Sequence, residues 1–239
     1  MPAPKPPPPR VIDAQFSAGA AKAEQLPASP HFEVAFAGRS NVGKSSLMNA
    51  LLERKRLVRT SSTPGCTRQI SLFDVSTRDG ARLCFADLPG YGYAKRSHSE
   101  RRQWGELVDT YLMERPSLCT LVALMDIRRG MQREDEQLLE LVSQKPRVTR
   151  APLDIILVAT KLDKLSGSQR KLAMVKLEKQ TGRRWFGFST ELPDTHARLW
   201  TRIQKGLGLL EPAPPAARTP VSSEAPDGQA LKSDVPPAP

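Results

Sequence analysis

No stretch of this chain approaches the ~18 consecutive apolar residues that a membrane-spanning helix requires. Prolines occupy the N-terminus where a secretion signal would carry its apolar core, so no exported form is expected. Cysteine is scarce: Cys66, Cys84 and Cys119 are odd in number and lie in or beside apolar segments. That usage suits reduced thiols in a cytoplasmic protein better than a disulfide framework or a metal centre. There is no internal repeat, and both ends are poor in large apolar residues. Of the 22 prolines, eight fall in residues 1–30 and eight in 212–239. Segments of this composition cannot bury enough surface to offset the entropy of ordering them. The expected organisation is a disordered Pro-rich tail over 1–10, one globular domain over 11–210, and a disordered Pro/Ala-rich tail over 211–239.

Acidic residues are also in deficit. Lys and Arg number 36 against 25 Asp and Glu, a formal net charge of +11. An excess of this size favours a polyanionic partner such as RNA or a ribosomal particle, against the plainer reading of a basic surface that contacts none. The basic runs Arg54–Arg59, Lys95–Arg102 and Arg128–Arg133 are the candidate RNA contacts; solvated charged faces are their default reading.

Hydrophobic periodicity supplies the fold class. Short apolar or alternating segments over 31–37, 70–75, 82–86, 118–127, 153–159 and 184–188 read as strands. Helical spacing of apolar residues marks 46–52, 104–112, 135–144, 168–180 and 199–207 as helices. Asp79-Gly80 separates the second and third strands as a hairpin turn. Val11–Glu24 is Ala-rich, which favours a short N-terminal helix stopped before Pro27 and Pro30. Strand–helix alternation predicts an α/β three-layer domain around a mostly parallel six-stranded sheet with one antiparallel edge strand. Ligands in such sheets bind beyond the carboxyl ends of the strands.

Three motifs fall at those ends. Gly38–Ser46 reads G-R-S-N-V-G-K-S-S and fits the phosphate-binding loop pattern G-x-x-x-x-G-K-[ST] between a strand and a helix. Gly38 and Gly43 allow tight turns that present backbone N–H groups to an anion, Lys44 reaches outer phosphates, and Ser45 offers a hydroxyl to Mg²⁺. An ordinary Gly turn is the bland alternative. Asp87-Leu88-Pro89-Gly90 is a D-x-x-G at a strand end. Its carboxylate suits the Mg²⁺ surroundings, and the Gly90 N–H can approach a γ-phosphate because no Cβ obstructs it. Thr160-Lys161-Leu162-Asp163 follows a buried strand and fits [NT]-K-x-D. A carboxylate there accepts two bonds from guanine, a donor pair adenine lacks. Phe188-Ser189-Thr190 follows the last strand and can offer N–H groups to the guanine carbonyl. Thr67, in the Pro64–Thr67 loop, is the candidate for a threonine that binds Mg²⁺ and γ-phosphate only in the triphosphate state.

Taken in order, G-R-S-N-V-G-K-S-S, T-S-S-T-P-G-C-T, D-L-P-G-Y-G-Y-A and T-K-L-D resemble the EngB (YihA/YsxC) family of bacterial GTPases, in the TrmE-Era-EngA group. The resemblance covers about Phe16 to Leu207. It implies a Ras-like P-loop GTPase fold, slow GTP hydrolysis, and a role in large ribosomal subunit assembly linked to cell division and septation. By position it assigns GTP contacts to Gly38, Arg39, Ser40, Asn41, Val42, Gly43, Lys44 and Ser45, then to Gly65, Cys66, Thr67, Arg68 and Gln69. Asp87–Gly90, Thr160–Asp163 and Phe188–Thr190 complete the set, with Ser45 and Thr67 holding Mg²⁺. Cys66 stands where the family usually has Arg, and Thr190 where a second Ser is common. The partners implied are GTP or GDP and the large ribosomal subunit or its precursor. The chain is read as a monomer with no membrane partner.

Ras-like enzymes place the attacking water with a Gln just after D-x-x-G, but here that residue is Tyr91. The hydrolysis is therefore expected to be slow and to depend on a partner or on a monovalent cation. Asn41 occupies the position that ligates K⁺ in related GTPases of the group, which suggests K⁺ assistance. Catalysis would be electrostatic, through Lys44, Mg²⁺, Thr67 and the loop N–H groups including that of Gly90. The alternative is a ribosome- or RNA-binding module that uses GTP as a structural ligand with little turnover. A small-molecule P-loop kinase would leave T-K-L-D unexplained.

Overall fold

A computed structural model describes residues 11–58, 69–91 and 98–209, except for the side chains of 98–104. The strands are β1 (Val11–Ala20), β2 (Phe32–Gly38), β3 (Ile70–Thr77), β4 (Arg82–Asp87), β5 (Leu118–Asp126), β6 (Asp154–Thr160) and β7 (Trp185–Gly187). The helices are α1 (Lys44–Leu51), α2 (His98–Glu114), α3 (Arg133–Ser143), α4 (Gly167–Thr181) and α5 (Pro193–Gly206). The strands form one seven-stranded sheet in the order β1-β3-β4-β2-β5-β6-β7. Pairings along β4-β2-β5-β6-β7 are all parallel, whereas β3 runs antiparallel to both β4 and β1.

Two expectations change. The sheet has seven strands rather than six, and the single reversed strand, β3, is interior rather than at the edge. The cause is the N-terminal segment, which forms a ten-residue strand instead of a helix. Helix propensity separates Ala from other ordinary residues by at most ~0.7 kcal/mol each. Pairing with β3 satisfies a whole row of backbone groups, buries Val11, Ala14 and Ala20, and sets Phe16 edge-on to Phe73 at 5.8 Å between ring centres. Long-range pairing therefore overrides the local preference. The Pro-rich tails, which the composition predicts to be disordered, lie outside the described residues.

Side-chain alternation divides the core between the two faces of the sheet. Val34, Phe36, Val122, Leu124, Ile156 and Val158 point toward α1 and α5, where they meet Leu47, Met48, Leu51, Leu199, Trp200 and Ile203. Ala35, Ala37, Leu121, Ala123, Leu157 and Ala159 point to the opposite face, against Leu107, Tyr111 and Leu112 of α2, Leu138 and Leu139 of α3, and Leu177 of α4. Burying each of the larger side chains is worth about 1.5–3 kcal/mol. An aromatic chain ties the first face together: Phe36 to Phe85 at 4.9 Å and Phe85 to Trp200 at 5.5 Å. The Trp200 indole also donates to the carbonyl of Leu51 at the end of α1.

On the other face Glu33 is fully buried at the start of β2. Arg115 binds it through Nε and Nη2, and the Tyr111 hydroxyl donates to it at 2.7 Å. Unpaired, such a carboxylate would destabilise the fold by roughly 3–5 kcal/mol. The hairpin turn forms as expected, with Gly80 at φ +85° and the Thr77 N–H bonded to Ala81. Because β2, β4, β5 and β6 are parallel neighbours, their carboxyl ends at Gly38, Asp87, Asp126 and Thr160 share one rim.

Candidate functional site

The rim is built from loops that the parallel strands release on the same side. Between β2 and α1 the chain makes a compact turn in which the Val42 N–H donates to the carbonyl of Arg39. Asn41 and Gly43 take left-handed conformations, at φ +63° and +101°. Gly43 caps α1, so the first N–H groups of that helix, starting at Lys44, have no intrahelical partner and face outward with its positive end. This is a ready anion cradle. Gly38 also meets a packing requirement. It is the last residue of β2, and a Cβ there would come within 2.9 Å of the Leu124 carbonyl and 2.8 Å of Val42. Its need is close packing of the loop onto β5.

The D-L-P-G segment lies directly against this loop. The Ser40 N–H donates to the Tyr91 carbonyl at 3.0 Å, and a Cβ on Gly90 would sit 3.1 Å from the Ser40 nitrogen. The Lys44 ammonium pairs with the Asp87 carboxylate, both nearly buried. Among the described residues the half-buried Ser45 hydroxyl makes no hydrogen bond. Hydroxyl and carboxylate oxygens are hard donors of the kind Mg²⁺ prefers, so Ser45 and Asp87 fit that ion.

The T-K-L-D loop reaches the phosphate loop from the other side. The Thr160 hydroxyl donates to the Val42 carbonyl at 2.7 Å and lies 3.0 Å from that of Met125. Lys161, itself left-handed at φ +62°, extends its ammonium to the Asn41 carbonyl at 2.6 Å and the Asp126 carboxylate at 3.1 Å. Leu162 opens a short 3-10 turn. Asp163 accepts a bond from the Ser189 hydroxyl at 2.7 Å and pairs with Lys164 at 3.0 Å. The serine bond is the main cause holding this carboxyl below its ordinary range. Ser189 is oriented in turn by Thr195, whose Oγ1 accepts its N–H at 3.2 Å. Phe188 is buried and stacks on His196, while Thr190 is exposed.

The sequence motifs at Gly38–Ser45, Asp87–Gly90, Thr160–Asp163 and Phe188–Thr190 therefore converge on one rim. Gln69 reaches the same rim because Ser71 pairs with Asp87, but its side chain lies against Gly19 of β1. Gly65, Cys66, Thr67 and Arg68 lie outside the described residues, as do Arg59 and the 95–97 part of the second basic run.

Residues 33–161, more than half of the chain, match the family model described as 50S ribosome-binding GTPase. A probable GTP-binding protein EngB of Desulfatibacillum aliphaticivorans is 45% identical over 169 residues, spanning 70% of this chain and 76% of that protein. The chain belongs to the EngB family of GTP-binding proteins. A second EngB, from Desulforapulum autotrophicum, is 40% identical over 81% of this chain and 96% of its own length. The crystal structure of a probable GTP-binding protein EngB superposes with a TM-score of 0.56 at 22% identity, covering 74% of this chain and 98% of that one. That likeness shows the shared P-loop GTPase fold. Membership of EngB makes this a GTP-binding protein of the GTPase family, for which Mg²⁺ is the usual metal. Among the described residues no helix is long and apolar enough to cross a membrane.

Within this EngB chain, residues outside the set assigned by resemblance also join the rim. Asp126, at the end of β5, accepts bonds from the N–H, Nε and Nη2 of Arg128 as well as from Lys161. The available signal was positional, since an acidic residue closing a buried strand is what marked Asp87. Tyr91 is also committed: its hydroxyl donates to Asp135 at the start of α3 at 2.8 Å. Burial first, and then the Asp135 charge, push the Tyr91 hydroxyl far above its ordinary range. Cys84 is likewise buried, and burial above all pushes its thiol up to about 12.

Burial alone would raise the Asp126 carboxyl, but the bonds from Arg128 and Lys161 outweigh it and hold the group at about 2, below the ordinary 3.8. A depressed folded-state value stabilises the fold at pH above the unfolded value, and that contribution disappears as pH falls toward 2. Asp126→Asn should therefore cost on the order of 2 kcal/mol in urea unfolding at pH 7. The gap between variant and parent should close between pH 4 and pH 2. A gap that does not change across this window would contradict the ion-pair assignment.

Proposed function

We propose that this protein is a slow GTPase acting in the cytoplasm as a switch in large ribosomal subunit assembly, and through it in normal cell division and septation. The observation that carries the reading is the convergence of the phosphate loop, D-L-P-G, T-K-L-D and the Ser189 loop on one rim. Asp163 is held there ionised, with Ser189 behind it. An ionised carboxylate in a fixed orientation can take both guanine donors, and discrimination by such a pair is strong. Lys161 lies between the base and phosphate ends of the site, its stem available to cover the purine. The triphosphate would lie along the α1 N-terminus, with Gly38–Ser45, Asp87–Gly90 and the 65–69 segment around it.

Ser45, Asp87 and Thr67 are the groups that would hold Mg²⁺, which when bound supplies positive charge to the β- and γ-phosphates. Lys44 would exchange Asp87 for phosphate oxygens as nucleotide arrives, because a polyanion with several acceptors outcompetes one carboxylate for an ammonium. Gly90 allows the D-L-P-G backbone to stay within reach of the γ-phosphate. Tyr91 occupies the place of the water-positioning Gln, yet its hydroxyl is engaged with Asp135 and buried. That supports slow intrinsic turnover and dependence on an activator. The exposed Asn41 amide on the phosphate loop is a suitable oxygen donor for K⁺. In the triphosphate state the Thr67 and 87–96 loops would order and present a face to the pre-ribosomal particle, which hydrolysis would release.

Asp163→Asn should lower GTP affinity by about a hundredfold, the loss expected for a charged pair of hydrogen bonds, and should reduce the GTP-over-ATP preference. An unchanged preference in nucleotide competition assays would remove the base-recognition role. Hydrolysis in KCl should exceed that in NaCl at equal ionic strength severalfold, and equal rates would exclude the K⁺ role of Asn41. The ribosomal reading predicts co-sedimentation with large-subunit particles under a non-hydrolysable GTP analogue and loss of it under GDP. Absence of co-sedimentation in every nucleotide state would overturn it.

A further inference from the structure

A second concave surface lies at the opposite end of the sheet from the nucleotide loops. It exists because β7 is only three residues long and pairs with Leu157–Ala159 of β6 alone. The beginning of β6, Asp154–Ile156, pairs with β5 on one side and is left uncovered by β7 on the other. α5 runs beside this open edge and leaves a wide groove floored by Ile155, Ile156, Leu157 and the half-buried ring of Phe186. At ~3.3 Å per residue, the start of β6 stands about 20 Å from Thr160 at the nucleotide rim.

The walls of the groove are strongly cationic. Arg183 and Arg184 enter from the segment before β7, and Arg198 and Lys205 from α5. Residues 198, 201, 202 and 205 recur at helical spacing, so α5 turns one face to the groove. All four of these cations are exposed, and their side chains make no ion pair or hydrogen bond with any described residue. The one acid in the lining, Asp154, is taken by the fifth cation, Arg202, through two bonds. That pair pins α5 to the start of β6, and Gly206 permits the approach, since a Cβ there would collide with the Asp154 carboxylate. The groove is thus a fixed shape whose positive charge is uncompensated among the described residues. Close like charges of this kind are destabilising unless a polyanion neutralises them.

We propose that this groove binds a single RNA strand, its phosphates on Arg183, Arg184, Arg198 and Lys205 and a base against Phe186. A cationic channel with a π-face on its floor is the arrangement used for single-stranded nucleic acid, where Arg and aromatic groups act together. The ribosomal reading above makes rRNA the natural source, but the site is defined by strand chemistry alone. Its position away from the rim lets RNA and guanine nucleotide bind together.

The test is fluorescence anisotropy of a labelled 12-nucleotide RNA with the full chain saturated in GDP, from 50 to 300 mM KCl. Arg184→Ala/Arg198→Ala/Lys205→Ala should weaken binding at least tenfold and reduce the slope of log K against log salt by about 2, near 0.7 for each phosphate no longer neutralised. Lys171→Ala/Lys176→Ala/Lys179→Ala removes the same charge from the exposed face of α4 and should change binding less than threefold. Labelled GDP affinity should be unchanged in both, which confirms folding. Equal losses in the two triple variants, or no loss in the first, would overturn the groove. So would tighter binding of an extended Glu-rich peptide than of RNA, because the open β6 edge would then be a peptide site. Failure of large-subunit co-sedimentation with RNA binding intact would count against the ribosomal reading and leave the groove standing.

Discussion

One ammonium group joins the two halves of the nucleotide site. Lys161 Nζ reaches across 120 residues of sequence to the Asn41 carbonyl, while Asp126 holds the same charge from the end of the neighbouring strand. The Thr160 hydroxyl reinforces the junction by donating to Val42. The phosphate loop and the T-K-L-D loop are therefore tied to each other directly. Of the partners only Asp126 is buried, and a charge-assisted bond to a buried carboxylate is stronger than one between two exposed groups. The left-handed backbone at both Asn41 and Lys161 is tolerated because these bonds compensate for it.

Around that junction the sheet acts as a template. Parallel pairing of β4, β2, β5 and β6 aligns their carboxyl ends, so each released loop starts from the same height. The two cores hold the template rigid, with bulky side chains and the Phe36–Phe85–Trp200 chain on one face and small alanines under α2–α4 on the other. The buried Glu33–Arg115–Tyr111 cluster secures the opposite end of β2. The consequence is a pre-organised anion cradle at the start of α1, with the D-L-P-G segment packed directly against it. Tyr91 marks the boundary, its backbone bonded to the phosphate loop and its hydroxyl to α3.

Charge is distributed with the same division of labour. These acids at the rim are paired in place: Asp87 with Lys44, Asp126 with Arg128 and Lys161, and Asp163 with Lys164, Ser189 adding a hydrogen bond. The cations of the β6–α5 groove other than Arg202 are left without acidic partners among the described residues. The groove thus carries exposed positive charge of its own, separate from the rim and suited to a different anion.

Much was legible in the sequence, and for local reasons. A phosphate loop needs its glycines and lysine within nine consecutive residues, and [NT]-K-x-D needs four, so chain order alone identified the nucleotide and its rim. Buried parallel strands declare themselves as apolar runs, which is why β2, β4, β5, β6 and β7 lie within a few residues of their expected spans. What only the tertiary structure decided depends on partners distant in the chain. The segment at 11–20 is Ala-rich and reads as helix until β3 supplies a ladder for it. Asp126 is one acid among many until Lys161 folds onto it, and Tyr91 is a missing Gln until Asp135 explains where its ring goes. The cationic groove is written in no motif, because Arg183, Arg184, Arg198 and Lys205 come together only when a three-residue strand stops short beside α5.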